Sequence, residues 1–428
     1  MVTTPAPPIA PPETAAPSRG RSTPEWYRLM ITVTLAGLAA FAAVATLSGW
    51  LARQGAGRIE TSVAPSLVSV QQLSASIAEA NAGATAAFLS QTAGEEDRSS
   101  RLLYLEALER ASAQTETLAG LAGTDEASHD DLQALSVALG EYRGDVEAAR
   151  TANALGATTP DARLRDALGR SEGEMAESVA AVAAQNQQRF DDNEQAGLLW
   201  GIVAVIGGIA LTAFLLNLHA SVARRSRRRL NLGLTGAVVL MILTTATLGL
   251  ALAARTVNLS NAESGGYDAI VETAAFQTDL YTVQTQNGLD LLQGTQEAST
   301  TTSDLQRLGE QADLIAASAD SNREQAVAQQ LEARRQRYGD ALLEVSANAE
   351  AGLTGGAIAA YRDDGLQAFN GLNTTLETVV AENREQFIDG VDAAAAVTRW
   401  LPLLNIVLPL AAALSAAVGL QARLREYS

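Results

Sequence analysis

The hydrophobic pattern of this chain changes period along its length. Four windows, Leu29–Leu51, Gly197–Leu218, Gly233–Ala254 and Trp400–Leu420, are continuously apolar, with no Asp, Glu or Arg in their interiors. Each is long enough to cross a bilayer, which takes ~20 apolar residues. Trp50, Trp200 and Trp400 stand at span ends, where interfacial aromatics sit. Between the windows the apolar positions fall to a 3–4 spacing, as in Val70, Leu73, Ile77, Ala80, Ala84 and Ala87, and in Leu132, Leu135, Leu139, Tyr142, Val146 and Ala149. That spacing puts one stripe on one face of a helix. Breaks near Thr92–Glu95, Gly120–Thr124 and Gly156–Pro160 predict helices at about 58–91, 97–120, 125–154 and 161–196. Breaks at Gly294–Thr302, Asp320–Ser321 and Gly352–Gly355 predict a second set at about 256–293, 303–319, 322–351 and 355–398. The expectation is an all-α integral membrane protein with four transmembrane helices and two tandem, elongated four-helix bundles. The first and last helix of each bundle are expected to run into the spans without a break.

The order span, bundle, span occurs twice, which predicts an internal duplication with parallel repeats. Ala184-Gln185-Asn186-Gln187-Gln188-Arg189-Phe190-Asp191 is similar to Ala381-Glu382-Asn383-Arg384-Glu385-Gln386-Phe387-Ile388, and Tyr142-Arg143-Gly144-Asp145 to Tyr338-Gly339-Asp340. The inverted repeats of many transporters are absent.

Charge orients the chain. Arg19, Arg21 and Arg28 precede the first span, Arg224, Arg225, Arg227, Arg228 and Arg229 fill the link between the second and third, and Arg423 and Arg425 follow the fourth. The region 52–196 carries 23 acids against 11 Arg, and 255–399 carries 22 against 9, within a total of −18. By the positive-inside rule the Arg-rich pieces and both termini are cytoplasmic and both acidic regions lie outside. The predicted order is a Pro-rich cytoplasmic tail (1–28), span one (29–51), bundle one (52–196), span two (197–218), an Arg-rich link (219–232), span three (233–254), bundle two (255–399), span four (400–420) and a short cytoplasmic tail (421–428). Ala43-Val44-Ala45 resembles a signal-peptide cleavage site, but the apolar stretch exceeds a signal h-region of ~7–15 residues.

Composition narrows the chemistry. With no Cys and no Lys, thiol catalysis, zinc-thiolate sites, P-loop lysines and Schiff bases are excluded. The two histidines, His129 and His219, are far apart and neither is beside a nucleophile. The acid clusters Glu95-Glu96-Asp97 and Asp130-Asp131 lack EF-hand spacing and read as solvated faces. No catalytic, cofactor-binding or metal-binding set is expected, and no nucleic-acid partner.

Two groups remain as candidate sites. Arg224, Arg225, Arg227, Arg228 and Arg229 read first as a topology anchor, and also as a contact for anionic lipid or an acidic partner. Asn186, Arg189 and Phe190, with Asn383, Arg384 and Phe387, lie in the segments just before spans two and four. They read either as bundle packing or as segments coupling bundle to span. Gly197 and Gly201 are spaced for close helix approach, Pro402 and Pro409 should bend the fourth span, and Asn405 should hydrogen-bond between helices.

Glu141-Tyr142-Arg143-Gly144-Asp145-Val146-Glu147-Ala148-Ala149-Arg150 with Asn153 and Gly156, the stretch Ala80-Asn81-Ala82 to Ala87-Phe88-Leu89, and the two Phe-containing segments before spans two and four carry a resemblance. The chain resembles the GlnX-like four-span membrane proteins of actinobacteria. These work with a glutamine-binding lipoprotein and the soluble Ser/Thr protein kinase G. The resemblance implies an extracytoplasmic binding protein and a cytoplasmic kinase as partners and amino-acid sensing as the role; it supplies no ligand residues. The bundles alone also resemble the four-helix sensor domains of bacterial chemoreceptors, but no cytoplasmic coupling domain is present to support that role.

The reading is a non-enzymatic signal transducer of the plasma membrane, in contact with the bilayer and compatible with homo-oligomerisation. The competing reading is a scaffold of the cell envelope. Transport ranks below both, because the spans lack the buried ionisable groups of ion-coupled pathways.

Overall fold

In the computed structural model, residues 23–92, 98–123, 125–157, 159–226, 231–319 and 321–425 are described. Among them there are helices and connecting turns and no strand. The helices are α1 (Thr23–Arg58), α2 (Ala64–Thr92), α3 (Arg98–Ala122), α4 (Glu126–Ala154), α5 (Pro160–Arg170), α6 (Ala176–Ser226), α7 (Leu232–Ala262), α8 (Asp268–Gln293), α9 (Ala298–Ala317), α10 (Asn322–Glu350), α11 (Thr354–Ala360), α12 (Leu366–Thr398) and α13 (Leu401–Arg425). Single π-helical turns, Ile59–Val63, Ser171–Met175, Glu263–Tyr267 and Tyr361–Gly365, join α1 to α2, α5 to α6, α7 to α8 and α11 to α12. Each such turn inserts a residue and rotates the apolar stripe beyond it.

Helix ends follow local chemistry. Gly123, Gly156, Gly294 and Gly352 adopt positive φ just after α3, α4, α8 and α10, the left-handed C-terminal geometry glycine allows at no steric cost. Ser321 and Glu324 form a reciprocal capping box at the start of α10. The helix expected from 303 begins at Ala298 instead. Its Ser/Thr run is held by packing: Gln296 Nε2 donates to Asn287 Oδ1 (2.7 Å), Thr301 Oγ1 (3.1 Å) and Ser346 Oγ (3.3 Å) in a buried cluster. Pro402 sits in the first turn of α13, after a break at Arg399 and Trp400, while Pro409 lies inside that helix.

Four stretches, Glu25–Thr92, Pro160–Arg224, Leu232–Gln293 and Thr354–Arg425, contain windows of mean hydropathy 2.1, 2.4, 2.2 and 2.1 and are long and apolar enough to cross a membrane. The chain is therefore a membrane protein. It divides into an apolar unit, from the described parts of Met1–Leu47, Val203–Leu248 and Pro402–Ser428, and a bundle unit, Ser48–Ile202 with Gly249–Leu401.

In the apolar unit Tyr27, Phe41, Leu215, Met241 and Leu420 are buried together. Small residues set the spacing of α7 and α13: a Cβ on Gly233 would fall 2.4 Å from the Gly419 Cα, and Ser415 Oγ donates to the Gly233 carbonyl at 2.8 Å. Asn405, fully buried, donates from Nδ2 to the Ala45 carbonyl at 2.8 Å, the interhelical bond its position in the sequence suggests. Asn405→Leu is expected to destabilise the protein by about 1 kcal/mol, a loss read as an earlier midpoint in denaturing-detergent titration.

In the bundle unit, α2 to α6 form one helical bundle and α8 to α12 another, and the two share a core. Residues Ser76–Ser90 of α2 are buried on every face. The run is rich in Ala, Gly, Ser and Thr, so neighbouring backbones come close: a Cβ on Gly83 would lie 2.7 Å from the Tyr104 backbone nitrogen, and one on Gly288 of α8 would lie 2.7 Å from Thr85 Cγ2. Ala78 and Ala82 of α2 belong to the core containing Phe276, Tyr338 and Phe369, while Leu289 of α8 belongs to the core containing Tyr104, Leu135 and Tyr142.

Candidate functional site

The candidate juxtamembrane residues meet within the bundle unit. Phe190 of α6 and Phe387 of α12, expected on sequence grounds to act in parallel, share one buried cluster with Ile59, Val63, Leu67, Leu259, Ile270 and Val391. All four helical stretches that contain a membrane-length apolar window contribute to it. Two π turns, Ile59–Val63 and Glu263–Tyr267, take part: Tyr267 stacks on Phe387 at 5.5 Å between ring centres, and a Cβ on Gly266 would lie 2.7 Å from the Phe387 Cα. Gly390 and Ala262 make a similar close approach, 2.6 Å from the position of an added Cβ. Motion of one helix here is resisted by backbone as well as by side chains.

The polar members of the two segments do different things. Asn186 is buried and donates from Nδ2 to the Val182 carbonyl at 2.9 Å. Arg189 donates to Asp125, at the start of α4, and to Ser128 Oγ at 3.0 Å; Ser128 in turn donates to Gln185 Oε1 at 2.6 Å. The Arg189 guanidinium holds the Asp125 carboxyl below its usual range. Stability from this contact is present above the unfolded carboxyl's titration range and is lost as pH falls through the lower folded value. Arg189→Ala is expected to leave the fold intact and to flatten the acid limb of the thermal-stability profile between pH 5 and pH 3, as followed by circular dichroism.

Asn383 and Arg384, adjacent in sequence, face different clefts. Asn383 is buried beside a cleft lined by Asp268, Glu272 and Val327. Arg384 lies on a second cleft of about 560 Å³ between α2 and α3 on one side and α8 and α12 on the other. Its walls carry Glu79, Arg110, Gln114, Gln277, Tyr281 and Glu377. Glu79 is 4% exposed and accepts Arg110 Nη2 at 2.6 Å. Burial pushes the Glu79 carboxyl above its usual range, the Arg110 hydrogen bond and charge oppose this, and the nearby Glu377 carboxylate adds to the rise. The Tyr281 hydroxyl is held far above its ordinary value, chiefly by burial and then by the charges of Glu79 and Glu377. A further cleft of about 410 Å³ lies between α2, α6 and α8 and is lined by Asn81, Ser171, Thr278, Thr282 and Thr285.

Of the arginine group, Arg224 lies exposed in the last turn of α6 and donates to Ser221 Oγ at 3.4 Å, and Arg225 lies in the same helix. Arg227, Arg228 and Arg229 lie outside the described residues, as do Glu95, Glu96 and Asp97. Asp130 and Asp131 lie on α4, where Asp131 accepts Gln185 Nε2 at 2.7 Å. His129 Nε2 is 3.0 Å from the Gly123 carbonyl, a loop contact. Among the described residues no group of three or more His, Asp or Glu side chains is placed to hold a metal ion.

Residues 55–195 match the family model of the actinobacterial sensor domain. The matched segment runs from the end of α1 to the part of α6 just past Phe190, and it contains Glu79, Arg110 and the first two π turns. This supports a sensing role for the first bundle. No curated protein and no solved structure matches the chain.

Sequence reasoning missed the Glu79–Arg110 pair, the π turns and Arg255. Arg255 is 2% exposed and donates to the Glu194 and Asn193 carbonyls at 3.5 and 3.4 Å. The only available signal was indirect: three of the four π turns contain glycine in a polar interruption of a long helix, and Gly197 leaves the space that the Arg255 guanidinium fills.

Proposed function

We propose that this protein is a non-enzymatic transmembrane signal transducer that relays extracytoplasmic nutrient status, amino acids foremost, to a partner inside the cell. The observation that carries the reading is α6: one unbroken helix, Ala176–Ser226, which begins in the sensor-matched segment, carries Phe190 and ends in the Arg-rich link. A helix holds its side chains in fixed register, so a shift of Phe190 is a shift of the whole element. The Phe190–Phe387 junction is the coupling element, since within the bundle unit it is a cluster to which all four membrane-length stretches contribute. The similar placing of the π turns and of buried Tyr142 and Tyr338 in both halves supports an internal duplication.

In this reading both termini and the arginine link are cytoplasmic in the plasma membrane and the bundles are outside, as the charge distribution favours. A solute-binding lipoprotein engages the bundles, and a Ser/Thr kinase reads the link whose sequence carries Arg224, Arg225, Arg227, Arg228 and Arg229. Crosslinking in native cells, affinity purification and mass spectrometry test this. Recovery of a solute-binding lipoprotein together with a cytoplasmic kinase is the expected result. Recovery of cell-wall or division proteins alone contradicts the relay and favours an envelope scaffold.

A further inference from the structure

The cleft between the two bundles has the composition of a ligand site. Charges of both signs line it: Glu79, Glu377 and Glu385 with Arg110 and Arg384. They are unevenly matched. Arg110 is committed to Glu79. Among the described residues Glu377 accepts only an amide, Asn373 Nδ2 at 2.9 Å, and Arg384 makes no ion pair. Gln114 Oε1 on the same wall is buried without a hydrogen-bond partner. Beyond the Glu79–Arg110 pair, the exposed rim of the cleft carries Glu377 and Glu385 against Arg384, charges of both signs that are free to meet a ligand.

We propose that this cleft binds a small zwitterion, a free amino acid or a close analogue, with its ammonium group between Glu79 and Glu377 and its carboxylate on Arg384. Glu377 and Arg384 lie seven residues apart on one face of α12, about 10 Å at 1.5 Å per residue. Helical side chains lean toward the N-terminus, which carries the long Arg384 side chain back over Glu377. The guanidinium offers a fork of donors that fits a carboxylate. By contrast Asp279, at the like position of α8, is already met by Gln311 Nε2 at 2.6 Å and by Arg307 at 3.7 Å.

The position gives binding a mechanical consequence. A ligand held here bridges α2 and α3 of one bundle to α8 and α12 of the other. Arg384 also lies one turn before Phe387, so a ligand that draws in Arg384 acts on the junction directly. The proposal rests on the sensing reading and adds direct binding by this chain.

The test uses the full chain in lipid nanodiscs. Each of the twenty L-amino acids, putrescine and acetate is titrated separately by calorimetry and by thermal shift. At least one amino acid is expected to bind and raise the melting temperature. Glu79→Gln, Glu377→Gln and Arg384→Ala should each weaken its binding tenfold or more, while Arg165→Ala should leave it unchanged. Glu377 and Arg384 are exposed, so their variants should fold even if the Glu79 variant does not. Binding by no amino acid overturns the proposal. So does wild-type affinity in both exposed-site variants, or putrescine binding as tightly as the best amino acid with no effect of Arg384→Ala. If the cleft fails these tests while the inner face still responds to amino acids in cells, the relay stands and its ligand is held by a partner. If the cleft binds and the inner face does not respond, the cleft stands and the relay falls.

Discussion

Phe387→Ala is expected to destabilise the bundle unit by about 3–5 kcal/mol, the usual cost of deleting a fully buried phenylalanine. Phe387 is 0% exposed and is pressed on by the Tyr267 ring and by the Gly266 backbone. The Gly266 backbone held against Phe387 limits how far the π turn can close on the cavity, while the Ile59, Leu259, Ile270 and Val391 side chains share the cluster and can relax into part of it. The effect should be local first. Amide hydrogen exchange by mass spectrometry on the full chain should show faster exchange in residues 59–68, 259–270 and 385–394, with residues 98–122 close to wild type. Phe190→Ala should give a similar pattern centred on 59–68, because the two rings share one cluster. Independent effects, additive in the double variant, would mean that the two halves do not meet through these rings; strong non-additivity is the expected result.

Arg110→Ala should cost about 2 kcal/mol at pH 7. The full penalty for breaking a buried ion pair is larger, ~3–5 kcal/mol, but the Arg110 side chain is 47% exposed and water screens part of its interaction. What remains is Glu79, 4% exposed and without its cation. Its carboxyl, already raised by burial, should rise further. A group whose folded value lies above its unfolded value binds protons more readily in the native state. Its destabilisation is therefore greatest at pH above the folded value and is relieved as pH falls toward the ordinary carboxyl range. The gap in melting temperature between Arg110→Ala and wild type should narrow from pH 7.5 to pH 5. A gap independent of pH would contradict the burial of Glu79. The double variant Glu79→Gln, Arg110→Ala should recover part of the loss, since the uncompensated charge is removed.

The helices could be read from the sequence because their core-facing apolar positions recur at helical spacing. Val70, Leu73, Ile77, Ala80 and Ala84, and Leu132, Leu135, Leu139, Tyr142, Val146 and Ala149, are all buried. Helix ends were legible at Gly123, Gly156, Gly294 and Gly352 because a left-handed residue has a strong compositional preference. The Phe190 and Phe387 segments were legible through their mutual similarity. Other features depend on which helices become neighbours, and no local pattern encodes that. Small residues in Ser76–Ser90 look like a weak amphipathic helix, yet they permit burial on every face. The cleft brings Glu79 and Arg110 against Glu377 and Arg384, nearly 300 positions later, so its charge balance appears only once α2 meets α8. Asn383 and Arg384, adjacent in the chain, part company because consecutive helical residues point about 100° apart. The π turns escape a fixed 3.6-residue period because they interrupt it.

A relay requires that a change in the bundle unit reach the ends of the spans. The chain has no cysteine, so a pair of introduced thiols is unique. Ala223→Cys at the end of α6 and Gln421→Cys near the end of α13 flank the cluster that holds Val222 and Leu420. The decisive measurement is the rate at which a membrane-permeant bismaleimide joins this pair in intact cells, starved and then supplied with the twenty L-amino acids. Working in intact cells retains any natural partner and does not require the ligand to be identified. A change of twofold or more on amino-acid supply, abolished by Phe387→Ala, is the result a relay predicts. A crosslinking rate that is the same in both conditions would contradict it.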